Sequence, residues 1–77
     1  MNNQLPIEIL KKAIDLRNSV RNIYIALYTS GKPSSSVEIA KMVGHTRAYV
    51  NMRLEQLVDQ GYAKVETKGK KKYYVAV

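Results

Sequence analysis

A chain of 77 residues with 13 Lys and Arg against 6 Asp and Glu carries a formal charge of +7, which suits one small basic domain with an anionic partner: nucleic acid first, a membrane surface second. A composition of 45% hydrophobic and 25% charged residues excludes an acidic disordered tail or a collagen-like repeat. Cysteine is absent and His45 is the single histidine, which excludes disulfides, thiolate nucleophiles, cysteine-ligated zinc and a histidine cluster.

The chain opens with a polar stretch, Met1 to Gln4, and Pro6 suits the first turn of a helix. Ile7, Leu10, Ala13 and Ile14 recur at helical spacing, with Glu8 near the positive end of the dipole. Asn18 and Ser19, both good N-cap types, interrupt that pattern. Val20, Ile23, Tyr24, Leu27 and Tyr28 then resume it. The spacing predicts either two helices, about 6–17 and 19–30, or one long helix with a bend. Gly31 and Pro33 end this part.

Ser34–Ser36 reads as a short polar connector. Ser35 and Glu38 have capping-box spacing, so a helix is expected from about Ser36, with Ile39, Ala40 and Val43 inward and Gly44 as its end. Thr46 can cap a further helix to about Gln60, with Val50, Leu54, Leu57 and Val58 on its apolar face and Gly61 as terminator. Beyond Gly61 the residues become β-branched and aromatic. Tyr62–Thr67 and Lys72–Val77 read as two strands joined by Lys68-Gly69-Lys70-Lys71. The expected fold is mainly α with a C-terminal β-hairpin, in the order α-α-α-α-β-β. It forms one domain over 1–77, with an N-terminal helix at 6–17, a two-helix unit at 36–60 and a hairpin at 62–77.

The stretch Ser36–Glu55 resembles a helix-turn-helix. Ala40 stands where the two helices pack closely, Gly44 opens the turn four residues later, and Val50 points back into the shared core. His45 departs from the family pattern, which has an apolar residue there, and is expected to be partly buried. With the preceding helix, the Leu54–Tyr62 segment and the basic hairpin, residues 17–77 resemble the winged helix-turn-helix of small transcription regulators of the ArsR and MarR type. The size also resembles small winged-helix proteins of archaeal viruses and plasmids. The resemblance implies a sequence-specific regulator that binds double-stranded DNA in the cytoplasm, its third helix in the major groove and its wing on the backbone or minor groove.

With Val50, Leu54 and Leu57 inward, the opposite face of that helix shows Arg47, Ala48, Asn51, Met52 and Glu55, flanked by Tyr49 and Arg53. Arg47 can make two hydrogen bonds to guanine and Asn51 two to adenine, while Ala48 and Met52 can meet a thymine methyl. The resemblance likewise places contacts on Thr46, Arg47, Tyr49, Asn51 and Arg53. The first turn of this helix contains no acid, which leaves its N–H groups for a phosphate. The bland alternative is a solvated helix face. In the hairpin, Lys68, Lys70, Lys71 and Lys72, with Lys64 nearby, read as phosphate contacts or else as a lysine-rich turn that keeps an edge strand soluble.

Of the tyrosines, Tyr24, Tyr28 and Tyr62 read as packing residues, and Tyr73 and Tyr74 point to opposite faces of one strand. Ile7, Leu10 and Ile14 form a stripe that three short helices leave uncovered, which suits either an intramolecular lid or a homodimer contact. The expected partner is therefore duplex DNA with an inverted-repeat operator, bound by a homodimer. No metal, cofactor, small-molecule ligand or membrane is expected. An RNA- or ribosome-associated module and a protein–protein adaptor are the alternatives. No phosphate-binding glycine loop or nucleophile–base set points to an enzyme.

Overall fold

The computed structural model describes residues 6–77, and the polar start at 1–5 lies outside them. Four helices, α1 (Ile7–Ile14), α2 (Asn18–Ser30), α3 (Ser36–Val43) and α4 (Arg47–Asp59), precede the strands β1 (Ala63–Lys68) and β2 (Lys71–Ala76). The expected order of elements holds. The open question of one helix or two resolves as two, because the chain leaves helical geometry at Asp15–Arg17.

Neither Asn18 nor Ser19 caps α2. Arg17 occupies the N-cap without a side-chain hydrogen bond. The junction is held from the other side. The Arg21 guanidinium donates to the carbonyls of Ala13 at 2.9 Å and Leu16 at 3.0 Å, on either side of the break between α1 and α2. The inward residues of α1 are Ile9 and Ala13, continued by Leu16 just beyond its end, all buried. Ala13 therefore belongs to this stripe and not with Ile7, Leu10 and Ile14, which remain 69%, 41% and 69% exposed. Both series have helical spacing, so α1 is apolar on two sides.

The capping box at α3 forms as expected. The Ser35 hydroxyl accepts from the Glu38 N–H, and the Glu38 carboxylate accepts from the Ser35 N–H. Gly44 closes α3 in the left-handed region at φ 76°, which sets the steep turn into α4. Helix α4 ends in a Schellman motif, with Tyr62 N–H donating to the Leu57 carbonyl and Gly61 N–H to that of Val58.

Ile23, Leu27, Ile39, Val50, Leu54, Leu57, Tyr24 and Tyr74 are buried to within 1% exposure and draw α2, α3, α4 and β2 into one core, which Ile9 and Ala13 of α1 and Ala63 of β1 join. Truncating Leu54 to Ala there would cost about 2–5 kcal/mol. The strands pair antiparallel from Ala63↔Ala76 to Lys68↔Lys71. The turn is therefore only Gly69-Lys70, shorter than the four-residue connection read from sequence. Gly69 has φ 62° and Lys70 does not have positive φ, as a two-residue II′ turn requires.

The serine connector is more structural than it reads. Ser34 is buried and exchanges both backbone hydrogen bonds with Tyr74, adding a one-residue third strand to the hairpin. That bridge seats the hairpin against the start of α3.

Candidate nucleic-acid interface

The bridge at Ser34 brings the hairpin tip alongside the start of α3 and the outer face of α4. Between them lies an open cleft of about 850 Å³. Helix α3 contributes Ser36, Val37 and Glu38, and α4 contributes Arg47 and Asn51. The hairpin contributes Lys70, Lys71, Lys72 and Tyr73. Among the described residues Arg47, Lys70 and Lys71 have no ion-pair partner, whereas Lys72 lies 3.7 Å from Glu55. Glu38 is occupied: the Ser35 N–H, with Lys32 3.6 Å away, holds its carboxyl below the usual carboxylate range.

Five of the twelve residues read as a nucleic-acid surface thus line one cleft: Arg47, Asn51, Lys70, Lys71 and Lys72. Thr46, Ala48 and Met52 are exposed on the same helix. Thr46 is its N-cap, accepting from the Tyr49 N–H at 3.2 Å. Lys68 is exposed on the hairpin and pairs with Lys71 beside the turn. Lys64 is not near the tip. It pairs with Val75, four positions before Lys68, which places it roughly 13 Å down the strand.

Tyr49 and Arg53 turn toward α2. Tyr49 is half-buried, and its hydroxyl lies 2.6 Å from Ser19 Oγ. That hydrogen bond, with the neighbouring Arg53 guanidinium, holds the phenol below its ordinary value. The Arg53 guanidinium carbon sits 5.0 Å from the centroid of the Tyr49 ring, and Nη1 donates to Gln56 at 2.7 Å. His45 is exposed, contrary to the half-buried position expected; its ring packs tilted against that of Tyr49 with centroids 4.8 Å apart.

A polar chain links the cleft to the core. The Ser36 hydroxyl donates to Asn51 Oδ1 at 2.8 Å. The Tyr74 hydroxyl lies behind them and donates to Glu55 in a short hydrogen bond. Burial and then Glu55 push the Tyr74 phenol well above its ordinary value, so it stays protonated. Ser36, Glu55 and Tyr73 escaped the sequence reading as site residues. The capping box located Ser36 on α3, but nothing in the sequence says that its side chain meets α4.

Residues 10–77 match the family described as the sugar-specific transcriptional regulator TrmB. The chain belongs to the TrmB family. No curated protein matches it. Three solved structures share the fold. A predicted DNA-binding transcriptional regulator from E. coli aligns with a TM-score of 0.66 at 19% identity, over 91% of this chain and 72% of that one. The homodimeric winged helix-turn-helix DNA-binding domain of a possible ArsR-family regulator from Mycobacterium bovis gives 0.64 at 15% identity, over 99% and 75%. Human N-acetylserotonin methyltransferase gives 0.62 at 18% identity, with 100% of this chain covering only 25% of that one.

This TrmB-family chain is a winged helix-turn-helix, as the sequence resemblance implied, and a DNA-binding transcription regulator. Among its described residues no helix is long and apolar enough to cross a membrane.

Proposed function

We propose that the chain is a sequence-specific regulator that lays α4 in the major groove of duplex DNA and the hairpin tip against the flanking phosphates. The observation that carries this is the cleft itself, where Arg47, with no ion-pair partner among the described residues, stands on the exposed face of α4 and Lys70 and Lys71 face it from the hairpin. Arginine is a guanine reader and lysine a phosphate binder. Ala48 and Met52, exposed on the same helix, would meet thymine methyls. Lys72, engaged by Glu55, is a weaker phosphate contact.

The protein works as a homodimer in the cytoplasm. The exposed stripe Ile7, Leu10 and Ile14 supports this, since a second copy would cover it and leave Ile9, Ala13 and Leu16 in the protomer's own core. The similar domain from Mycobacterium bovis is homodimeric. Two recognition helices about 34–36 Å apart, or a multiple of one DNA turn, would then read an inverted repeat. The test is selection from a random duplex library at moderate salt with single-stranded RNA as competitor. Enrichment of an inverted-repeat duplex motif is the expected result. Preference for the RNA would replace this reading by an RNA-associated module, and no binding by a protein adaptor.

A further inference from the structure

Two acids stand beside the cleft, and they differ in what they hold. Glu38 closes the capping box of α3 and draws on Lys32, which lies outside the cleft lining. Glu55 instead draws on a cleft cation, with Lys72 Nζ 3.7 Å from its Oε2. The same oxygen accepts the short hydrogen bond from the Tyr74 hydroxyl. Lys72 and Tyr74 are two residues apart on β2 and so share one face of the strand. One carboxylate on α4 therefore grips β2 twice, at a buried phenol and at an exposed ammonium.

The two grips do not need the same chemistry. A buried hydroxyl needs an acceptor, and a neutral amide oxygen can serve; a negative charge strengthens that bond without being required for it. At Lys72 the charge itself matters, on a surface that the proposed function sets against phosphates. The pair is exposed, its side chains 60% and 42% accessible, and lysine is a flexible point charge, so Lys72 can change partners. We infer that Glu55 is an intramolecular competitor of DNA phosphate for Lys72, which tempers the affinity of the cleft for the DNA backbone. Binding to random duplex is almost wholly electrostatic, so the effect falls there in full. A protein that holds back one cation leaves random DNA more readily, and a genome offers a great excess of such sites. The inference rests on the cleft being the DNA-binding surface and adds to that reading an acid that works against it.

The experiment titrates random duplex at several salt concentrations with the wild type, Glu55→Gln, Lys72→Ala, Lys71→Ala and the Glu55→Gln, Lys72→Ala double variant, with circular dichroism to confirm folding. Glu55→Gln keeps an acceptor for Tyr74 and frees Lys72. It should bind roughly two- to fivefold more tightly than the wild type. Its slope of log affinity against log salt should be steeper by up to about 0.9 per protomer. Adding Lys72→Ala to that variant should remove both gains, whereas Lys72→Ala alone should lower the slope by clearly less than Lys71→Ala does. Should Glu55→Gln fail to fold, the comparison of the two lysine variants decides alone. Unchanged or weaker binding by a folded Glu55→Gln, or a gain that persists without Lys72, would overturn the inference and leave Glu55 as the acceptor of Tyr74 only. Equal slope losses for the two lysines would overturn it as well. A wild type that binds no duplex would remove the reading of the cleft itself, and the inference with it.

Discussion

The hydroxyl of Tyr49 on the recognition helix lies 2.6 Å from Ser19 Oγ at the start of α2. Tyr49 therefore has its ring beside Arg53 and His45 and its polar end tied to another helix, which fixes the rotation of the first turns of α4. Tyr49→Phe should keep the ring stack and lose about 0.5–1.5 kcal/mol of stability. Ser19→Ala in the Tyr49→Phe background should cost little more. Additive losses in this double-mutant cycle, read by denaturant melts, would show that the two hydroxyls do not interact.

Cations in the cleft divide by task. Arg47→Ala should weaken binding to the selected operator by about 1–3 kcal/mol and affect random duplex much less. Lys70→Ala with Lys71→Ala should weaken all duplexes alike and lower the slope of log affinity against log salt by roughly 0.9 per lost phosphate contact. Lys64→Ala, with its side chain far down the strand from the turn, should leave that slope nearly unchanged. Titrations at several salt concentrations measure all three, and a slope as sensitive to Lys64 as to Lys71 would move the phosphate contacts off the tip.

Much of this arrangement is legible in the sequence. Ser35 and Glu38 announce the capping box, Gly44 and Gly61 the helix ends, and Val50, Leu54 and Leu57 the inward face of α4, because each signal is local and has a periodic or steric cause. What was not legible depends on which faces meet. Ile7-Leu10-Ile14 and Ile9-Ala13-Leu16 both have helical spacing, and only the approach of α2 decides between them. Ser34 reads as a polar linker until Tyr74 bridges to it. Asn51 reads as a free surface amide until α3 brings Ser36 within hydrogen-bond distance.

Alkaline pH should act through Tyr74. Burial and Glu55 raise its pKa in the folded state, so folding favours the neutral phenol. That contribution is fully present below the ordinary tyrosine value of about 10 and is lost as pH rises through the folded-state value. Tyr74→Phe should cost about 1–3 kcal/mol at neutral pH, where the hydrogen bond to a charged acceptor is intact. The stability gap to the wild type should shrink above pH about 10, with buried Tyr24, also shifted upward, still destabilising both proteins there. Thermal melts from pH 7 upward check this, and a constant gap would mean that Tyr74 does not govern the alkaline loss.

The exposed stripe on α1 predicts an assembly phenotype. Leu10→Lys with Ile14→Lys should give a folded monomer that binds single half-sites weakly, since Ile9, Ala13 and Leu16 hold α1 in place without them. Sedimentation reads the mass and circular dichroism the fold. A variant that stays dimeric would place the interface elsewhere, and one that loses its helical signal would return the stripe to the intramolecular core.

The most direct test of the account is to ask which residues duplex DNA touches. Titrating the 15N-labelled protein with the selected duplex should shift amide resonances of Ser35–Glu38, Arg47–Arg53 and Lys68–Tyr73, the three segments that bound or flank the cleft, and leave the Lys64 and Val75 end of the hairpin nearly unmoved. Perturbations centred on α1, or on the far end of the hairpin with Arg47 and Lys70 unchanged, would contradict the assignment of this cleft as the DNA-binding surface.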